Sequence, residues 1–306
     1  MAEKKTLPTG TERAFLAELK KLRVNVGEKA NLSKRPTNYR GKLFNKDNAK
    51  AFLELGVARL AELQDKLYAH NEHGLLVVLQ AMDTAGKDGA IKHIMSGLNP
   101  QGVKVTSFKV PSSEELDHDF LWRHYKALPP RGEIGIFNRS HYENVLVSRV
   151  HPEIVLHENL PNISSMKDIT KKFWKERLHN IRQFEEITTH SGTSIVKFFL
   201  HLSKDEQCRR LVSRIDDPAK NWKFSSSDVR ERAFWNEYLD AYEAAISATS
   251  TEFAPWYVIP ADDKWYARIA MASIIHMHMD KLDLSYPTIT DQQRAELQIA
   301  RKELLQ

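Results

Sequence analysis

Apolar residues in this chain gather in short runs, and between the runs they recur every three or four positions. Five runs are strand-sized: Leu75–Gln80, Val103–Val110, Glu133–Phe137, Ser194–His201 and Trp256–Ile259. Helical spacing predicts a short helix at Glu12–Leu22 and a longer one at Asn48–Tyr68, carrying Phe52, Leu55, Leu60, Leu63 and Leu67. It also predicts Thr170–Thr188, with Phe173, Trp174, Leu178, Ile181 and Phe184 inward, then Asp228–Ser247 and Trp265–Leu282. Ser112 with Glu115, and Ser203 with Glu206, have the spacing of capping boxes. The first would open a helix containing Leu116, Phe120 and Leu121, the second the segment Cys208–Ile215. Strands alternating with helices predict a parallel sheet covered on both faces.

Composition narrows the class. The chain has 306 residues, 42% of them hydrophobic, enough for a sizeable core. Mean hydropathy is −0.49, and no apolar run nears the roughly 20 residues of a membrane-spanning helix. Met1–Leu7 is polar and lacks the apolar centre of a secretion signal. Cys208 is the only cysteine, which rules out an internal disulfide and favours the cytoplasm. Net charge is +5, but residues 1–50 hold 13 Lys and Arg against 5 Asp and Glu. That basic arm reads most simply as a solvated tail, and otherwise as a binder of an anionic polymer. The expected division is an arm at 1–46, a catalytic domain at 47–287 with a lid at about 205–235, and a helical tail at 288–306.

The most informative segment runs from Gly74 to Gly89. A buried strand, a tight turn and a helix start are followed by Lys87, directly after Gly86. This is the layout of a phosphate-binding loop, with Ala81 where the first glycine usually stands and Asp88 where Ser or Thr usually stands. Ala85, Gly86, Lys87, Asp88 and Gly89 would surround phosphate oxygens. Asp83 and Asp88 would repel phosphate unless Mg²⁺ screens them, with Mn²⁺ as an alternative, and Asp83 is the metal ligand expected. Asp88 reads equally well as a helix cap.

Ile134–Asn144 is a strand ending in polar side chains. Arg139 is placed to clamp a phosphate, and Glu143 to orient an arginine or a hydrated metal; His141 reads as structural. Asp119 and Arg123 are four apart on the expected helix, either as an exposed ion pair or with the arginine facing an acceptor phosphate. In the lid, Arg209, Arg210, Lys220, Lys223 and Arg230 supply cations, and Asn221-Trp222-Lys223-Phe224 interleaves them with aromatics.

Taken together, these motifs resemble the polyphosphate kinase 2 family. The match comprises Ala81–Gly89, Phe120–His124, Phe137–Asn144, Asn221–Phe224 and Pro260–Trp265. The resemblance implies an α/β fold of the phosphate-binding-loop kinase type, a three-layer α/β/α arrangement with a five-stranded parallel sheet and a helical lid. It implies Mg²⁺-dependent phosphoryl transfer from inorganic polyphosphate to AMP, ADP or guanine nucleotides. Asn138 and Glu143 beside Arg139 look like class III, associated with both monophosphate and diphosphate acceptors. Asp83, Lys87, Arg139 and Glu143 are then the catalytic residues, and Asp119, Arg123 and Asn138 lie on the nucleotide side. The lid cations face the polyphosphate. A dimer or tetramer is implied, and neither membrane nor nucleic acid is an expected partner. The rival readings are an ATP-dependent nucleotide or small-molecule kinase and a non-catalytic nucleic-acid binder.

Overall fold

The apolar run at Gly74–Ala81 becomes the central strand, β1, with every residue buried. A computed structural model describes residues 9–306. The other strands are β2 (Val103–Ser107), β3 (Ile134–Asn138), β4 (Thr193–His201) and β5 (Trp256–Pro260). All pair in parallel, in the order β2-β3-β1-β4-β5. The helices before β3 are α1 (Thr9–Leu22), α2 (Lys46–His70), α3 (Lys87–Ile94), α4 (Ser113–Leu116) and α5 (Trp122–Tyr125). After it come α6 (Val147–Val150), α7 (Lys171–His190), α8 (Lys204–Asp216), α9 (Ser226–Glu231), α10 (Trp235–Thr249), α11 (Lys264–Asp280) and α12 (Asp291–Leu304).

Alternation along β1 splits its side chains between two cores. Leu75, Val77 and Leu79 face α1, α2, α3 and α11, while Leu76 and Val78 face α7 and α10. The chain leaves β1 toward one edge of the sheet and leaves its neighbours β3 and β4 toward the other. Crevices therefore open beside the carboxyl end of β1, where ligands of such sheets bind. Among the described residues, no helix is long and apolar enough to cross a membrane.

The structure redraws several expected elements. The helix expected after Ser112 is two single turns, because the Asp119 carboxylate accepts the Leu121 N–H at 2.9 Å and starts a fresh turn. The box at Ser112 and Glu115 is reciprocal, but at Ser203 only half forms, since Glu206 turns to Arg209 and Arg210. The pattern at Asp228–Ser247 is broken at Arg232–Phe234, where Arg232 reaches back to the Lys204 carbonyl and to Gln207. β2 ends at Ser107, opposite the last residue of β3, and Val110 beyond it is exposed.

The basic arm is no solvated tail. Phe15, Leu19 and Phe44 enter the main core, and the Val24 N–H donates to the Trp256 carbonyl at 2.9 Å. Arg35 ties the arm together by donating to the carbonyls of Ala30, Lys21, Leu22 and Arg23. Among the described residues, Lys20, Lys21, Lys29, Lys34, Arg40 and Lys42 point outward, while Phe15 and Leu19, four apart, make the inner face of α1. The carboxyl-terminal segment differs: Ser285 to Gln306 are all exposed, tethered to α2 by a Tyr286 hydroxyl to Asp65 hydrogen bond of 2.5 Å.

Candidate active site

Between β1 and α3 the chain turns through Met82–Gly86. Thr84 and Gly86 have φ of 63° and 103°, left-handed values that glycine adopts without penalty and threonine only when its surroundings hold it. What holds the loop is Arg210, on α8. Its Nε donates to Glu206, Nη1 to the Thr84 and Ala85 carbonyls, and Nη2 to the Ala261 and Asp262 carbonyls, all at 2.7–3.1 Å. All five donors of this buried guanidinium are thus engaged with protein. Arg210, expected to bind polyphosphate, uses these donors to fasten the loop. Gln207 adds a bond of 3.2 Å to the Asp83 carbonyl.

Lys87 turns back over the loop and donates to the Ala81 carbonyl at 3.1 Å. Desolvation lowers its pKa, and the carboxylates of Asp83, Glu143 and Asp88 oppose that shift. Arg139 follows β3 with φ of 64°, its N–H bonded to the Leu79 carbonyl at 3.1 Å. Its half-exposed guanidinium lies 3.5 Å from Asp83. Burial works against this cation, but Glu143 and Asp83 outweigh it and raise its pKa. Burial also holds the Glu143 carboxyl above its ordinary range, against the pull of Arg139 and Lys87. The Asn138 amide donates to Asp88 at 2.8 Å, joining the end of β3 to the first turn of α3.

Two clefts meet here. One, of about 300 Å³, has apolar walls from Phe108, Val110, Phe120, Val147 and Ile154, with Arg123, Arg139 and Glu143 among them. The other, of about 1070 Å³, runs along the phosphate loop and the lid. Lys87, Lys109, Arg139, Arg209, Arg210, Arg214, Lys220, Lys264 and Arg268 line it, against Asp83, Asp88, Glu206 and Asp228. Phe108, Lys109, Val110 and Arg139 belong to both clefts and form the wall between them.

The remaining expected residues scatter. Arg123 reaches the small cleft but is bonded to Glu115 at 3.3 Å and to the Lys109 carbonyl at 2.9 Å, and lies over Phe108. Asp119 is exposed and outside both clefts, its carboxylate on the Leu121 N–H, and the carboxylate that Arg123 meets is that of Glu115 instead. Arg209 is paired with Glu206 and Lys220 with Asp217, both at the rim of the large cleft. Arg230 is exposed, bonded to Ser226, and outside that cleft. The Lys223 side chain lies outside the described residues. His141 is fully buried against Glu185, as a structural residue would be.

A model of the family polyphosphate kinase 2 matches residues 43–287. The chain belongs to the polyphosphate kinase 2 family. A Rhodopseudomonas palustris protein named ADP-polyphosphate phosphotransferase is 51% identical over 286 residues, covering 94% of this chain and 98% of that one. A Meiothermus ruber protein named AMP/ADP-polyphosphate phosphotransferase is 48% identical over 229 residues, 75% of this chain and 80% of that one. The crystal structure of polyphosphate kinase 2 from Arthrobacter aurescens aligns with a TM-score of 0.81 at 43% identity, covering 90% and 94% of the two chains. As a polyphosphate kinase 2, the chain has the α/β sheet and helical layers that its sequence implied.

Three cleft cations were given no role by the sequence reading, Lys109, Lys264 and Arg268, while Arg214 joins them from the lid segment. Burial lowers the pKa of Lys264, and neighbouring Arg210 and Arg268 lower it further, the mark of cations crowded together. The signal that could have found Lys264 and Arg268 is their place four apart on the first turns after β5. That is the same strand end that carries the ligand crevice in sheets of this kind.

Proposed function

We propose that this protein moves the terminal phosphoryl group of inorganic polyphosphate to AMP and to ADP, giving ADP and ATP, in a reversible reaction. One observation carries the reading: a large cation-lined cleft and a smaller apolar-walled one share a wall that includes Arg139. An anionic polymer suits the first, and a nucleobase suits the second. The names of the relatives support this donor and these acceptors, and that of the Meiothermus protein supports the class III assignment. Guanine nucleotides would also be accepted, because apolar walls read shape more than base edges.

The chemistry asked of the protein is positioning and charge neutralisation. A nucleotide's terminal phosphate has a second pKa near 6, so the attacking oxygen is already ionised at pH 7 and needs no strong base. Lys87 and Arg139 reach the transferring group from the loop and from the adjacent strand. The amides of Ala85–Gly89 at the start of α3 add a partial positive charge. Glu143 orients Arg139. Asn138 and Arg123 frame the nucleotide side. Arg209, Lys220, Lys264 and Arg268 take the polymer, while Arg210 serves the loop.

Mg²⁺ fits this donor set, with Mn²⁺ as a substitute. Four carboxylates, Asp83, Asp88, Glu206 and Asp228, line one phosphate cleft, and burial, and then the charge of Asp83, push the Asp228 carboxyl up. Asp83 is the ligand assigned, and a metal that keeps waters and phosphate oxygens needs few protein ligands. When bound, it would screen the phosphates from these carboxylates. We further propose a cytoplasmic homo-oligomer, a dimer or tetramer. Exposed Leu297, Ile299 and Leu304 on α12 support association, and exposed Cys208 supports a reducing compartment.

The test is direct. Protein, Mg²⁺, long-chain polyphosphate and AMP are mixed and the nucleotides separated over time. ADP should appear first and ATP after it. Absence of both would sink the reading, and transfer from ATP but not polyphosphate would favour the ATP-dependent rival.

A further inference from the structure

The motif Pro260–Trp265 supplies no group to the transfer just described except Lys264, yet Asp262 joins three separate segments of the chain. Asp262 accepts the Ser203 N–H on one carboxylate oxygen at 2.9 Å, and Ser203 is the residue that caps α8. Its other oxygen accepts the Thr37 hydroxyl at 2.7 Å. Its own N–H donates to the Thr37 carbonyl at 2.9 Å, and its carbonyl accepts from Arg210 at 3.0 Å. Two residues along the arm, the Tyr39 N–H donates to Asp263 at 2.9 Å, and the Tyr39 ring stacks on Tyr266 at 4.2 Å. A continuous line of bonds therefore runs from the arm to Asp262. There it divides, to the first turn of the lid helix and, through Arg210, to the Thr84 and Ala85 carbonyls of the phosphate loop.

We infer that Thr37 and Asp262 are positioning residues for phosphoryl transfer, and that the arm is a strap setting the phosphate loop against the lid. The inference rests on polyphosphate occupying the large cleft. Thr37 lies outside the residues that the family model matches. Asp262 does not line either cleft, so its carboxylate acts through the groups it holds. A carboxylate suits the place: one oxygen accepts the Ser203 N–H and the other the Thr37 hydroxyl, and its charge strengthens both bonds, a charge that an amide lacks even where it donates to the hydroxyl in turn. The site also lies at the amino end of α8, where a negative charge is favoured. Thr84 is held at a positive φ by Arg210, so a small shift at Asp262 reaches the loop.

The experiment uses the full chain. Thr37→Val keeps the shape of the side chain and removes the hydroxyl, Thr37→Ser keeps the hydroxyl, and Asp262→Asn keeps the size of the hub. Each is measured for kcat, for KM toward polyphosphate and toward AMP, and for its melting curve. Thr37→Val should lower kcat/KM for polyphosphate by about fivefold, the scale of one lost hydrogen bond, with KM for AMP within about twofold. Asp262→Asn should lower it more, and Thr37→Ser should match wild type. Wild-type kinetics in folded Thr37→Val would overturn the strap, as would equal loss toward both substrates. Wild-type enzyme inert toward polyphosphate would bring down the reading of the cleft, and the strap with it.

Discussion

Lys87 meets protein at a single point, the Ala81 carbonyl, and otherwise faces carboxylates and open cleft. Removing it should therefore leave the fold intact while stripping the transferring group of its nearest cation. Lys87→Ala is expected to lower turnover by about 10³ or more, with an unchanged melting midpoint; near-normal turnover in folded protein would show the role is wrong. Arg210 and Arg209 are adjacent in sequence and opposite in environment. Arg210→Met leaves several buried carbonyls without donors, at about 3 kcal/mol or more. Arg209→Met disturbs an exposed pair and should stay within about 0.5 kcal/mol. Urea unfolding of the two variants checks the contrast, and equal midpoints would refute the account of Arg210.

At the scale of elements, all five strands were readable: four are short apolar runs buried on both faces of a parallel sheet, and the edge strand β2, half-buried to exposed, still carries β-branched residues in its short run. The phosphate loop was readable from Gly86-Lys87 behind such a run. What could not be read is what depends on a neighbour. Nothing local marks Arg210 as a loop clamp, since its partners at Thr84, Ala85 and Ala261 are distant in sequence and present only main-chain oxygen. Helical spacing put Asp119 and Arg123 on one face, but the local bond from Asp119 to the Leu121 N–H ended that helix before it formed. The arm looked solvated because its charges outnumber its core side chains, Phe15, Leu19 and Phe44 among them, which need the rest of the sheet to become a face. The α11 cations give this scale its prediction. The double variant Lys264→Gln, Arg268→Gln should raise KM for polyphosphate about tenfold and leave KM for AMP nearly unchanged, with a shallower salt dependence. Arg230→Gln, remote from the cleft, should do less. Steady-state kinetics at two ionic strengths decides, and the reverse ranking would move the polymer to the outer lid.

For the whole molecule, the interior holds neutral imidazoles. Burial lowers the pKa of His201 and of His278 to about 4, and the rings of His124 and His141 move in the same direction. Above pH 6.5 neither the folded nor the unfolded chain binds these protons. As pH falls from there toward 4, the unfolded chain takes them up and the folded chain does not. Stability should therefore drop by about 2 kcal/mol for each of His201 and His278 by pH 5. Urea midpoints at pH 7 and pH 5 test this, and a flat profile would contradict it.

Finally, under the proposed function, donor and acceptor have separate compartments with one arginine-bearing partition between them. Neither guest then has to vacate for the other to be exchanged. Such a layout favours processive consumption, in which successive nucleotides come and go while one strand of polymer stays threaded and is shortened unit by unit. Early in the reaction, product lengths should fall into two populations, untouched chains and heavily trimmed ones.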